Sequence, residues 1–64
     1  MLSIGICDDN YDARFSLRSV LERLLEERHT QVRFLEFSSG EGLLGWLDRH
    51  QGELDLVFLD MEMG

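Results

Sequence analysis

Hydrophobic and polar residues alternate along this chain with two different periods, and each change of period predicts a change of secondary structure. Leu2–Cys7 places Ile4 and Ile6 on one side and small residues on the other, which predicts a strand against which a helix can pack closely. From Tyr11 to about Arg28 the apolar residues recur at helical spacing and predict an amphipathic helix. The polar residues between these two segments favour a turn and a helix cap.

The middle of the chain repeats this order. Val32–Phe37 predicts a second strand, which is less apolar than the first because polar residues interrupt it. Ser38 and Glu41 have the spacing of a capping box, so we expect a second helix to begin there. That helix carries Leu43, Leu44, Trp46 and Leu47, and Gly52 is the predicted stop after it.

Leu54–Leu59 predicts a third strand, and its continuous apolar run Leu56–Leu59 is typical of a strand covered on both faces. The order strand, helix, strand, helix, strand predicts an α/β fold with right-handed βαβ units and a parallel sheet. The polar residues of the second strand suit an edge, whereas the third strand suits the centre. We therefore expect the strand order 2-1-3.

Composition and charge narrow the possible functions. The chain has 64 residues and a net charge of −7, and all six basic residues are arginine. An acidic chain without a basic run is a poor candidate for direct binding of nucleic acid. No apolar stretch approaches the ~20 residues of a membrane span, and no secretory signal is evident. The single cysteine, Cys7, is expected to be a buried, inert thiol in a reducing compartment, which makes the cytoplasm the expected location.

Carboxylates follow two of the predicted strands directly. Asp8 and Asp9 follow the first strand, and Asp60 follows the third. In the order 2-1-3 these strands are neighbours, so their acids meet at the carboxyl edge of the sheet, where such folds bind ligands. Carboxylates that converge repel one another, and Mg²⁺ is the natural ion to compensate them. The alternative is structural, since acids at such positions also serve as helix caps and turn formers.

These features resemble a known family. The strand IGIC running into Asp8 and Asp9, the sequence VFLD ending at Asp60, and the 52-residue spacing between Asp8 and Asp60 resemble the N-terminal half of a receiver domain of two-component response regulators. The segment ICDDN is also similar to receivers attached to LytTR-type DNA-binding outputs. The resemblance implies a flavodoxin-like, doubly wound parallel sheet. Residues 1–64 would then be a partial receiver domain containing its first three strands and first two helices.

The resemblance also implies roles for individual residues. Asp60 would be the phosphoacceptor for a sensor histidine kinase, and Mg²⁺ would be held by Asp8, Asp9, Asp60 and the backbone carbonyl of Glu62. Such a module is a signalling switch and not a turnover enzyme, and it acts on an output such as transcription, reaching DNA through a separate domain. In the family a Ser or Thr and a Lys on later strands hold the phosphoryl oxygens, and these 64 residues contain no lysine. The chain by itself is therefore expected to bind Mg²⁺ weakly and to be phosphorylated poorly or not at all.

Two other functions stay open at this point. Asp60-Met61-Glu62 has a faint similarity to the Asp-x-Asp motif of haloacid-dehalogenase-like, Mg²⁺-dependent phosphatases. The second open function is a phosphorylation-silent interaction module, in which the acids serve only as caps. Since the family places a fourth strand beside the third, Leu56–Leu59 would be a bare edge here, and we expect the chain to self-associate through it.

Overall fold

The computed structural model describes residues 1–60, which form three strands and two helices. The elements are β1 (Leu2–Cys7), α1 (Tyr11–Glu27), β2 (Val32–Phe37), α2 (Gly40–Arg49) and β3 (Leu56–Leu59). All pairings in the sheet are parallel, and the strand order is β2-β1-β3. This confirms the predicted α/β fold, the βαβαβ element order and the 2-1-3 sheet.

The core lies on the central strand. β1 pairs along its whole length with β2, from Leu2 opposite Val32 to Cys7 opposite Phe37. Its other edge pairs with β3. Ile4, Ile6 and Cys7 are each only 1% exposed, because strands flank β1 on both edges and side chains cover both of its faces. The burial predicted for Cys7 is confirmed, and its thiol is free.

The two helices lie on opposite faces of the sheet. The guanidinium of Arg18 in α1 sits 5.3 Å from the centre of the Phe34 ring, and Trp46 in α2 meets the Phe37 ring at 6.0 Å. Phe34 and Phe37 are an odd number of positions apart on β2, so they point to opposite faces. On the α2 face a Cβ at Gly5 would lie 3.0 Å from Leu54, so the absence of a side chain there lets Leu54 pack onto β1.

The helix ends are close to their predicted positions, with one correction. Asn10 caps α1 by accepting a hydrogen bond from the Ala13 N–H at 3.1 Å. The cap of α2 is Ser39, whose hydroxyl accepts from the Gly42 N–H at 3.0 Å. The predicted capping box beginning at Ser38 is therefore wrong by one residue. Glu41 lies in the first turn, where its charge suits the helix dipole, and not at the reciprocal position of a capping box.

The third strand differs most from its prediction. It begins at Leu56 and not at Leu54, because Asp55 bonds to Ser3 through its carboxylate and its own N–H, each at 2.8 Å. The apolar run expected to be covered on both faces is exposed instead, by 38% at Phe58 and by 55% at Leu59. Within residues 1–60 β3 pairs with β1 alone, so the strand lies at an edge of the described sheet, as the predicted order 2-1-3 requires for these three strands.

Helix α1 also buries less than its apolar stripe could. Leu17, Leu21 and Leu25 are half-buried against the sheet, whereas Val20 and Leu24 are exposed. No residue of this helix is fully buried. The stripe on α1 is therefore wider than the surface that the described part of the chain offers to cover it.

Candidate metal centre

Three of the four predicted site residues meet at one rim of the sheet. Cys7 of β1 is paired with Leu59 of β3, so the residues that follow them, Asp8 and Asp60, leave the sheet side by side. The Asp60 N–H donates to the Cys7 carbonyl at 3.1 Å and fixes this register. Carboxylate oxygens of Asp8, Asp9 and Asp60, one from each, all lie within 4.8 Å of one another. Glu62, the fourth predicted ligand, lies outside the described residues.

Backbone and side-chain bonds hold Asp8 in place. Its N–H donates to the Phe37 carbonyl at 3.0 Å, and its carboxylate accepts from the Asn10 N–H at 2.9 Å. Its carbonyl accepts from the guanidinium of Arg14 at 2.6 Å. The loop between β1 and α1 is thus tied to β2, to itself and to α1, and Asp8 keeps a second carboxylate oxygen for other partners.

Capping accounts for only part of this cluster. The cap of α1 is Asn10, and the bond from its N–H to Asp8 is a local turn bond. In residues 1–60 the Asp9 carboxylate is exposed and makes no hydrogen bond, and Asp60 follows β3, whereas the cap Asn10 follows β1. Capping and turn formation therefore account for the side-chain bond of Asp8, whereas capping of α1 involves neither Asp9 nor Asp60.

The cationic side chain in contact with this loop is only partly available to balance the acids. Arg14 donates to the Asp8 carbonyl, but its charge is shared with Glu36, 3.3 Å away. Arg18 reaches the same Glu36 at 2.7 Å. Bonds to Glu22 and Glu36 raise the pKa of Arg18 above its usual value. Sequence reasoning missed this network; the positions of Arg14 and Arg18 one helical turn apart were the available signal.

The chemistry of the donors fits a hard divalent cation. The three groups are carboxylates, two of them half-buried, on neighbouring strand ends. Mg²⁺ binds through one or two carboxylates and retains several waters, so such a cluster has enough ligands for it. Exposed acids also cluster without a metal, so the geometry permits an ion and does not establish one.

An apolar cavity of about 190 Å³ borders the acids, between α1 and β3. Its lining includes Leu17, Phe58, Asp8 and Asp60. Low-dielectric walls strengthen the field of charges beside them. Burial raises the pKa of the Cys7 thiol and negative Asp8 and Asp60 raise it too, although Arg14 opposes them. The thiol therefore stays protonated and does not compete with the carboxylates for a metal.

Comparisons with protein-family models, with curated proteins and with solved structures returned no match. The resemblance to receiver domains therefore depends on the residues quoted above, and it stays a prediction.

Proposed function

We propose that these residues are part of a receiver-type phosphoacceptor module in which Asp60 takes a phosphoryl group and Asp8, Asp9 and Asp60 hold Mg²⁺. The 64 residues by themselves are proposed to bind Mg²⁺ weakly and to be phosphorylated poorly or not at all. The observation that supports this proposal best is the convergence of the three carboxylates within 4.8 Å at the ends of neighbouring parallel strands. Asp8 and Asp60 are 52 residues apart in sequence, and they come together because the strand order β2-β1-β3 makes β1 and β3 neighbours.

The proposed reaction is a phosphoryl transfer to a carboxylate. An oxygen of Asp60 attacks phosphorus in line, the P–N bond of a phosphohistidine donor breaks, and the released imidazole nitrogen takes a proton. Mg²⁺ would neutralise the charge on the equatorial oxygens during this transfer. In this chain the β1–α1 loop and the Asp60 N–H bond to Cys7 orient the acids before the donor arrives.

The proposed partners and compartment follow from that reaction. A sensor histidine kinase is the proposed donor, and the module is proposed to act in the cytoplasm on an output such as transcription, through a separate DNA-binding domain. The chain itself carries a net charge of −7, which argues against contact with nucleic acid. Among residues 1–60 no helix has the length and hydrophobicity needed to cross a bilayer.

Binding of metal can be tested on the 64-residue chain by nuclear magnetic resonance. Titration with Mg²⁺ should shift the amide signals of Asp8, Asp9 and Asp60 with a millimolar Kd, and trace Mn²⁺ should broaden the same signals. Asp9→Asn should weaken the effect, whereas Asp48→Asn, the same change at an exposed site outside the cluster, should not. Broadening centred elsewhere, or unchanged in Asp9→Asn, would contradict the proposed site.

Phosphorylation is best tested on the longest natural protein that contains these residues, with acetyl phosphate and Mg²⁺. A stable mass gain of one phosphoryl group that is lost in Asp60→Asn would support the proposal. Continuous release of inorganic phosphate would support the phosphatase alternative instead. No reaction, with metal binding intact, would favour an interaction module.

A further inference from the structure

Asp9 is the acid of the rim that no strand pairing holds. The Asp8 N–H donates to the Phe37 carbonyl of β2 at 3.0 Å. The Asp60 N–H donates to the Cys7 carbonyl of β1 at 3.1 Å. Asp9 lies in the loop before α1, and within residues 1–60 its exposed carboxylate makes no hydrogen bond. Its place beside the other two acids therefore depends on how the backbone of this loop is oriented.

The peptide unit between Asp8 and Asp9 is bonded to a side chain of α1. Nη1 of Arg14 donates to the Asp8 carbonyl oxygen at 2.6 Å. A peptide unit is planar and includes the Cα of the following residue, so a bond that fixes this carbonyl also fixes the direction in which the chain reaches Asp9. Hydrogen bonds from a charged donor are short and about twice as strong as neutral ones. Arg14 is therefore well placed to orient the residue that carries the third carboxylate.

The guanidinium of Arg14 is itself fixed by its surroundings. Its Nε donates to the Glu36 carboxylate at 3.3 Å, and its central carbon lies 5.6 Å from the centre of the Tyr11 ring. The side chain is only 14% exposed. Glu36 of β2 is paired with Ile6, two residues before Asp8, so this contact anchors the loop to the sheet close to the rim. A planar guanidinium makes both bonds from one position and is ordered before any ligand arrives.

We propose that Arg14 is the positioning residue of the acidic rim. Its bond to the Asp8 carbonyl keeps the Asp9 carboxylate beside those of Asp8 and Asp60, and Glu36 holds Arg14 in place. The effect of Arg14 on metal binding rests on the proposed function, whereas its effect on the loop does not.

The charge of Arg14 and its position have opposite effects on a cation, which separates the two roles. A guanidinium beside the rim repels Mg²⁺, so loss of the charge alone should tighten binding. Loss of the bond to the Asp8 carbonyl should weaken binding, because Asp9 would then have to be ordered when the ion binds. The direction of the change in Kd therefore identifies which role dominates.

Nuclear magnetic resonance relaxation in EDTA tests the positioning role on the 64-residue chain without any metal. In Arg14→Met, which keeps a long side chain and removes its donors, the order parameter of the Asp9 amide should fall from about 0.85 to below about 0.6. Arg14→Lys keeps one donor group and should restore the order in part. Arg18→Met is the matched control, because it removes the same charge from Glu36 and leaves the bond to the Asp8 carbonyl in place.

Glu36→Leu tests the anchor. It releases the guanidinium of Arg14 and should also lower the order parameter of the Asp9 amide. Circular dichroism checks that each variant is folded. If Asp9 in folded Arg14→Met is as ordered as in the parent chain, or loses as much order in Arg18→Met, the proposal is overturned. Order at Asp9 equal to that of the parent in Glu36→Leu would overturn the role of Glu36.

Titration with Mg²⁺, followed by the amide signals of the three acids, tests the consequence for metal binding. The Kd should be at least about threefold higher in Arg14→Met than in the parent, and no higher in Arg18→Met. An equal or lower Kd in Arg14→Met would show that only its charge acts on the ion, and would overturn the proposal. If the parent chain does not bind Mg²⁺ at these acids, the proposed metal site fails, and the order of Asp9 in EDTA alone decides the role of Arg14.

Discussion

Replacing Asp60 by asparagine should stabilise the metal-free chain, although most substitutions at an ordered position do the opposite. Asp60 is 52 residues from Asp8 and 51 from Asp9, so its repulsion from both arises only when the chain folds. Repulsion between Asp8 and Asp9 exists in the unfolded chain as well and cancels. Asparagine keeps one side-chain oxygen and the backbone N–H that bonds to Cys7.

The expected size of the effect follows from the geometry. Two unit charges 4.8 Å apart repel by about 0.9 kcal/mol in bulk water. At physiological ionic strength, with a Debye length of about 8 Å, roughly half of this remains. Two such pairs are removed, so relief of this repulsion contributes about 1 kcal/mol to the free energy of unfolding.

Urea unfolding followed by far-ultraviolet circular dichroism measures this difference. In EDTA the Asp60→Asn chain should be the more stable one. With Mg²⁺ at about ten times its Kd, the free energy of unfolding of the parent chain should rise by about 1.4 kcal/mol and that of the variant by much less. The variant should therefore no longer be the more stable of the two chains. Asp48→Asn, an equal charge change outside the cluster, is the control. If the free energy of unfolding of Asp60→Asn in EDTA is lower than that of the parent by about 1 kcal/mol or more, repulsion between these acids is not the dominant interaction. The same conclusion follows if Mg²⁺ stabilises the variant as much as it stabilises the parent.

Three further predictions concern the core, the cap and the thiol, and each is measured by urea unfolding. Ile6→Ala should lower the free energy of unfolding by about 2–5 kcal/mol, because Ile6 is only 1% exposed. The control Leu44→Ala, at a site that is 67% exposed, should change the free energy of unfolding by no more than about 0.5 kcal/mol. Similar losses in the two variants would show that Ile6 is not in the core. Ser39→Ala should lower the free energy of unfolding by about 1 kcal/mol, and Ser38→Ala should lower it much less. A larger loss in Ser38→Ala than in Ser39→Ala would support the capping box predicted at Ser38. The pKa of the Cys7 thiol is raised in the folded chain, so as the pH rises through about 9 the thiol loses its proton in the unfolded chain before it does so in the folded chain. This earlier deprotonation favours the unfolded chain. Stability should therefore fall above that pH in the parent and fall less in Cys7→Ala, and equal slopes would contradict the shift.

The sheet could be predicted from the sequence because its pattern is local. Ile4 and Ile6 against Gly5 and Cys7 define the two faces of β1, and both faces are covered as expected. The polar residues of β2 indicated an edge. The strand order then followed, and with it the meeting of the acids at the rim.

What the sequence could not give depends on neighbours that are distant along the chain. An apolar run such as Leu56–Leu59 indicates that a strand can be buried. It does not indicate whether a helix or another strand lies beside it. Ser38 and Ser39 are chemically identical caps, and only the extended backbone of Ser39 after β2 selects between them. The contact of Arg14 with Asp8 and Glu36 requires the angle at which α1 crosses the sheet.

Because every strand contact in the described sheet passes through β1, the order of folding is constrained. The first pairing with β2 joins residues 30 apart, and the first with β3 joins residues 52 apart, a difference in loop closure of about 0.5 kcal/mol. During synthesis β2 also leaves the ribosome before β3. The β1–α1–β2 unit should therefore form first, and Asp60 joins Asp8 and Asp9 only when β3 docks. A nascent chain in which β3 has not yet docked would thus have no assembled acidic rim, so the meeting of the three carboxylates reports that β3 has docked on β1.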